Sequence, residues 1–239
     1  MRQHKLKNHL TTQVVNTITI VAAGAFISYL LWRILIPNPS YIAKTITVRI
    51  DGANTGSGII VEHQADRYIV LSNWHVVSAG DKPISPKLLT IGTVDGQRYP
   101  ISAKKIVRVD KLDLAILEFQ SKRRYSIASI GNSDALSTGE LLYVSGWADP
   151  SPQFSSRTYQ LLIGNLSGRI DRPQDGYALV YTVNALPGMS GGPVLDSRGN
   201  LVGINGRATV DLRTGTVNSV LGINIDRYFR RNDNLPVHK

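Results

Sequence analysis

Ser190 lies in the run Pro187-Gly188-Met189-Ser190-Gly191-Gly192-Pro193. Glycines on both sides let the backbone turn sharply, present the hydroxyl and aim neighbouring N–H groups at a developing oxyanion. A serine hydroxyl is a weak nucleophile until a base takes its proton, so such a turn calls for a histidine and a group that orients it. Upstream, His75 sits in LSNWHVV (71–77) and Asp113 opens DLAIL (113–117). Asp110 is close by, but only Asp113 directly precedes the apolar run. His63, between Glu62 and Gln64, reads as a solvated loop residue.

Taken alone, Gly188 to Gly192 also satisfies the G-x-S-x-G elbow of α/β-hydrolases, in which the acid and the histidine follow the serine. The only later histidine is His238, in a polar tail. The upstream pair instead gives the order His, Asp, Ser of the chymotrypsin-like fold. The elements that would carry these residues are short. After Ala43 the chain reads as strands at 45–50, 58–61, 68–71, 114–117, 140–144, 177–183, 192–195, 201–204 and 220–225, separated by Gly, Asp, Asn and Pro turns. No long helical period interrupts them, which argues for antiparallel barrels or sandwiches and against alternating strands and helices. Residues 226–232 are the best short-helix candidate.

The N-terminal segment differs in kind. Val14 to Trp32 is uncharged, about the length that crosses a bilayer as a helix, and Arg2, Lys5 and Lys7 precede it. The reading is a cytoplasmic N-terminus (1–13), a signal-anchor helix (14–36), a linker (37–43) and an extracytoplasmic domain (44–232), with a polar tail (233–239). The alternative is a secreted protein released by signal cleavage.

Composition narrows the classes. The chain has 239 residues, 42% hydrophobic and 18% charged, which excludes disordered and collagen-like proteins. Cysteine is absent, so disulfides, cysteine metal sites and a thiol nucleophile are excluded. Neither HExxH nor a His/Asp cluster at ligand spacing occurs, so no metal or other cofactor is expected. The formal net charge is +10. Without aromatic-basic interleaving or a recognition helix, that excess does not point to nucleic acid.

These residues resemble the trypsin-like serine proteases, and among them the cysteine-free bacterial HtrA/Deg branch without its PDZ domain. Gly56-Ser57-Gly58-Ile59-Ile60, the His75 motif, the Asp113 motif, Ser145-Gly146-Trp147, the Ser190 loop and Gly203-Ile204-Asn205 match it in order across most of residues 45–230. The resemblance implies two six-stranded antiparallel barrels, divided near residues 121–125, with a cleft between them. It implies Ser190 as nucleophile, His75 as base and then acid, Asp113 as orienting carboxylate, and the N–H groups of Gly188 and Ser190 as oxyanion hole. Asn184 would stand at the base of the primary specificity pocket with Asn205 and Gly206 on its wall, so a neutral substrate side chain is expected. Met189 occupies the place of the aspartate that pairs with a new N-terminus in digestive relatives, so activation through that ion pair is not expected. A protein or peptide substrate and, by analogy, a homo-oligomer complete the expectation. The rival reading is a silent or latent protease fold that binds partners at the membrane.

Overall fold

The computed structural model describes Phe26, Ser28, residues 37–225 apart from 84–88, 102–105, 211–212 and 214–216, and Phe229. The chain divides into Met1–Pro37 and Asn38–Lys239. In the first unit Phe26 and Ser28 are helical, and the rest of the predicted span 14–36 lies outside the described residues, as do the predicted basic N-terminus and polar tail. Among the described residues no helix is long and apolar enough to cross a membrane. The short helix predicted at 226–232 also lies outside them, save Phe229.

The second unit is built on strands. In chain order these are β1 (Thr47–Asp51), β2 (Gly56–Gln64), β3 (Arg67–Ser72), β4 (Ser78–Ala79), β5 (Lys82–Pro83), β6 (Thr90–Gly92), β7 (Arg98–Pro100), β8 (Ile106–Arg108), β9 (Ala115–Gln120), β10 (Leu141–Ala148), β11 (Thr158–Arg169), β12 (Tyr177–Tyr181), β13 (Pro193–Leu195), β14 (Leu201–Val210) and β15 (Val217–Asn224). Strands β10-β11-β12-β15-β14-β13 close into a six-stranded barrel. The first half differs from the expected six-stranded barrel. Its main sheet has seven strands in the order β7-β6-β1-β2-β3-β9-β8, and β4 and β5 form a separate ribbon. The reason is length: β7 and β8 are three-residue edge strands, and no ladder joins them among the described residues. Every named strand pair is antiparallel. That removes the α/β-hydrolase alternative, which needs a parallel sheet.

The helix Pro39–Ile46 lies where the sequence suggested a linker and the start of a strand. Asn38 caps it, accepting from the Tyr41 N–H at 3.1 Å, and Pro39 occupies the first turn. Ala43 and Ile46 anchor it in the core. His63 also departs from expectation: it is on β2, stacked on Tyr68 with ring centroids 4.3 Å apart.

Side chains alternate between faces along each strand, and that alternation builds three cores. On β2, Ile60 joins Val48, Val70 and Leu117 inside the first sheet. Its neighbour Ile59 points the other way, to Leu114, Tyr177, Leu195 and Ile204, and so welds the first half to the barrel. Leu142, Val144, Leu179, Met189, Val194 and Val202 fill the barrel itself. The shared core fixes the two halves face to face, which matters because the chemistry-bearing residues come from both.

Candidate active site

Sheet register brings His75 and Asp113 together. Ser72 at the end of β3 pairs with Ala115 at the start of β9, so the segments beyond both meet at one end of the ladder. His75 Nδ1 lies 2.7 Å from Asp113 Oδ2, and the His75 backbone N–H donates to Asp113 Oδ1 at 2.9 Å. The Tyr177 hydroxyl donates to the same Oδ2 at 2.6 Å, and Asn73 Nδ2 donates to the Asp113 carbonyl at 3.0 Å. Burial pushes the Asp113 carboxyl up. The His75 hydrogen bond and charge, with the Tyr177 and backbone bonds, outweigh burial and hold it below the usual carboxylate range. Burial, then the Asp113 charge, pushes the Tyr177 hydroxyl far above its ordinary range, so it remains a donor. The His75 side chain is about half exposed (48%), its ring edge open to solvent.

Ser190 comes from the barrel, in the turn between β12 and β13. Two backbone bonds splice that turn onto β14: Gly191 N–H to Asn205 O at 2.7 Å and Asn205 N–H to Gly192 O at 2.9 Å. A third ties it to the first half, Ser57 N–H to Ser190 O at 2.7 Å. Gly191 has φ +87°, and a Cβ there would collide with the Ser57 carbonyl and the Ser72 hydroxyl, so only glycine fits. The Ser190 hydroxyl donates to the Gly206 carbonyl at 3.3 Å. A Cβ on Gly206 would meet the Tyr177 hydroxyl and, at 2.7 Å, Asn73 Oδ1. Those are two of the groups that hold Asp113, so serine, histidine and aspartate share one cleft.

The same turn leaves two backbone donors unpaired among the described residues. The Pro187 carbonyl accepts from the Asp149 N–H at 2.9 Å, and the Gly188 carbonyl accepts from Ser57 Oγ at 2.9 Å. With both carbonyls tied back, the N–H groups of Gly188 and Ser190 find no acceptor among the described residues. Gly188 takes φ +85°. Met189, between them, is fully buried in the barrel core, where a thioether packs without the partner that an aspartate would need.

A pocket of about 260 Å³ opens beside Ser190, lined by Ala185, Leu186, Pro187, Arg207, Ala208 and Val220 among others. Of the predicted pocket residues, Asn205 and Gly206 border it, whereas Asn184 is exposed and absent from its wall. The Asn205 side chain is spent on structure: Oδ1 accepts from the Tyr181 hydroxyl at 2.8 Å, and Nδ2 donates to the Met189 carbonyl at 3.1 Å. Sequence reasoning missed Tyr177 and Arg157. Tyr177 reads as one more strand residue, and Arg157 sits alone in a polar loop with no local motif.

A family model for the trypsin-like peptidase domain matches residues 56–204. The serine protease Do-like HtrB of Bacillus subtilis is 33% identical over 158 residues, covering 62% of this chain and 32% of that protein. A probable periplasmic serine endoprotease, DegP-like, of Hahella chejuensis is 33% identical over 157 residues, covering 65% of this chain and 30% of that protein. The chain thus spans about a third of the length of the curated relatives it matches. An HtrA-type protease solved with a tripeptide superposes with a TM-score of 0.62 at 21% identity, over 81% of this chain and 60% of that one.

Proposed function

The chain belongs to the trypsin-like peptidase family, and within it we propose a serine endopeptidase that cleaves extracytoplasmic proteins or unfolded segments through an acyl-enzyme. The observation that carries the reading is the His75 Nδ1 to Asp113 Oδ2 contact of 2.7 Å at the mouth of the cleft that holds Ser190. Asp113 keeps the proton on Nδ1 and leaves Nε2 as the base. When substrate enters, the Ser190 hydroxyl leaves the Gly206 carbonyl for His75 Nε2. Its oxygen attacks the scissile carbonyl as its proton passes to the imidazole. The oxyanion then accepts from the Gly188 and Ser190 N–H groups, each worth about 3 kcal/mol of barrier in comparable sites. The C–N bond breaks as His75 returns the proton to the leaving amine, and water reverses the sequence to release the acid.

The pocket wall supports a neutral, apolar side chain at the primary position, since Ala185, Leu186, Ala208 and Val220 are apolar, no carboxylate among the lining residues would pair with Lys or Arg, and the lining cation Arg207 is already paired with Asp175 at 2.9 Å. We read the seven-stranded sheet as the counterpart of the first barrel, with the division from the second near residues 121–125. The uncharged run 14–32, with basic residues before it, supports a single-pass anchor with the peptidase domain outside the cytoplasm. The periplasmic naming of DegP-like relatives favours the same side.

The test is fluorophosphonate labelling of the full chain in detergent, with the adduct mapped by mass spectrometry. Labelling at Ser190 that disappears in His75→Ala, with casein cleavage lost in Ser190→Ala, is expected. Cleavage that persists in Ser190→Ala overturns the reading, and an unlabelled wild-type serine favours a silent binding protein on this fold.

A further inference from the structure

Arg157 is the most heavily engaged charged side chain among the described residues, and the triad chemistry does not use it. It lies in the loop between β10 and β11, yet its side chain is only 8% exposed. Nη1 donates to the Ile50 carbonyl at 2.7 Å and to Asp51 Oδ1 at 2.8 Å. Nη2 donates to the Gly56 carbonyl at 2.8 Å, to the Trp147 carbonyl at 2.6 Å and, more weakly, to the Gly188 carbonyl at 3.3 Å. Nε sits 3.1 Å from Asp149 Oδ1, an ion pair not aligned for a hydrogen bond. One planar fork therefore joins the β1–β2 hairpin of the first half, the end of β10 and the loop that carries Ser190.

Its neighbours face the same loop. Asp149, held by Arg157 and by the Thr55 hydroxyl at 2.9 Å, donates its backbone N–H to the Pro187 carbonyl. Ser57 Oγ, which accepts from the Trp147 N–H at 2.8 Å, donates to the Gly188 carbonyl. A Cβ on Gly188 would lie 2.6 Å from both Asp149 Oδ1 and the Trp147 carbonyl, so the loop is seated directly on this cluster. If the Pro187–Gly188 peptide rotated, the Pro187 carbonyl would replace the Gly188 N–H and fill the oxyanion position with a like dipole. Asp51 keeps the guanidinium in place while also pairing with Arg49 at 2.7 Å and Arg98 at 2.6 Å.

We propose that Arg157 is the positioning residue that keeps the oxyanion hole formed, substituting for an activation ion pair at buried, uncharged Met189 with a clamp between the two halves. The proposal rests on the serine-peptidase reading above. It requires no new N-terminus, because every acceptor of the clamp is internal to the folded domain. Lysine cannot reproduce it, since an ammonium has no rigid fork to span carbonyls on three segments.

The test compares full-length wild type, Arg157→Lys and Arg157→Gln, with Asp149→Asn as a milder variant that keeps the loop N–H but removes the carboxylate. Near-UV circular dichroism and melting report folding, while kcat and KM on a peptide amide and the fluorophosphonate rate report the hole. A fall of about 100-fold in kcat for Arg157→Lys, with KM within threefold and a native spectrum, is expected, the loss of one oxyanion donor. Asp149→Asn should fall by less, again in kcat. If the Arg157 variants do not fold, the Asp149→Asn kcat decides in the same way. Folded variants whose kcat stays within threefold of wild type, or whose activity merely tracks the folded fraction, overturn the proposal. A wild type that neither labels nor cleaves defeats the peptidase reading itself, and the role of Arg157 with it.

Discussion

The Tyr177 hydroxyl donates to Asp113 Oδ2 at 2.6 Å, the same carboxylate oxygen that faces His75 Nδ1 at 2.7 Å. Tyr177 belongs to the barrel and Asp113 to the turn before β9 in the first half, so the carboxylate beside His75 is braced from the other half of the domain. Arg207 covers the outer face of the Tyr177 ring at 4.4 Å and pairs with Asp175 at 2.9 Å, which limits the ring's freedom. Tyr177→Phe should lower kcat about tenfold with little change in KM, the part of a charge-assisted hydrogen bond of about 2–3 kcal/mol felt in the transition state. Steady-state kinetics check it, and an unchanged kcat would reduce Tyr177 to a packing residue.

The depressed Asp113 pKa makes stability depend on pH. In the unfolded chain this carboxyl titrates near about 3.9, and in the folded protein it titrates lower. Its contribution is therefore complete above the unfolded value and is lost as pH falls through the folded value. Tyr177→Phe removes one of the bonds that hold it down, so the contribution should be smaller and its loss complete at a higher pH. Urea unfolding from pH 6 to pH 3 should show a steeper decline in wild type than in Asp113→Asn.

Specificity follows the pocket wall. A panel of peptide amides varying only at the primary position should favour Val, Ala or Leu over Lys and Arg by at least about tenfold, because a cationic end would meet a wall that holds Arg207 and no carboxylate. Val220 is buried at the pocket wall, so Val220→Ala should shift preference toward larger apolar side chains at a cost of about 1–2 kcal/mol in stability. A best substrate with arginine would contradict the reading of this wall.

Gly191 admits no side chain. Gly191→Ala forces a Cβ into the Ser57 carbonyl and the Ser72 hydroxyl at a positive φ. The expected result is a loss of more than about 3 kcal/mol in stability, together with the disappearance of labelling at Ser190. Thermal melting and the fluorophosphonate assay read the two effects separately.

The cap of the Pro39–Ile46 helix is remote from the chemistry. Asn38→Ala should cost about 1 kcal/mol by denaturant unfolding and leave kcat unchanged.

Much of the site was legible because its local requirements are strict. A glycine-flanked serine, a histidine just beyond one apolar run and an aspartate just before another are constraints that sequence order preserves. Strand positions were visible for the same reason, since β2 and β3 are buried along most of their length and so read as short continuous apolar runs between turn residues. The Pro39–Ile46 helix was not legible, because eight residues are too short to show a helical period.

Contacts of large sequence separation were not legible. Arg157 reaches Ile50 across 107 residues and Tyr177 reaches Asp113 across 64, and no local pattern encodes either bond. Whether Asn205 would face a substrate or brace a loop was likewise settled by Tyr181 and Met189 arriving at its amide. Residue types and their order determined which chemistry this chain could attempt. Tertiary structure decided how its carboxylate is braced, how the carbonyls of the Ser190 turn are tied back and how the pocket is walled, because each depends on groups that only the packing of two halves brings within hydrogen-bond reach.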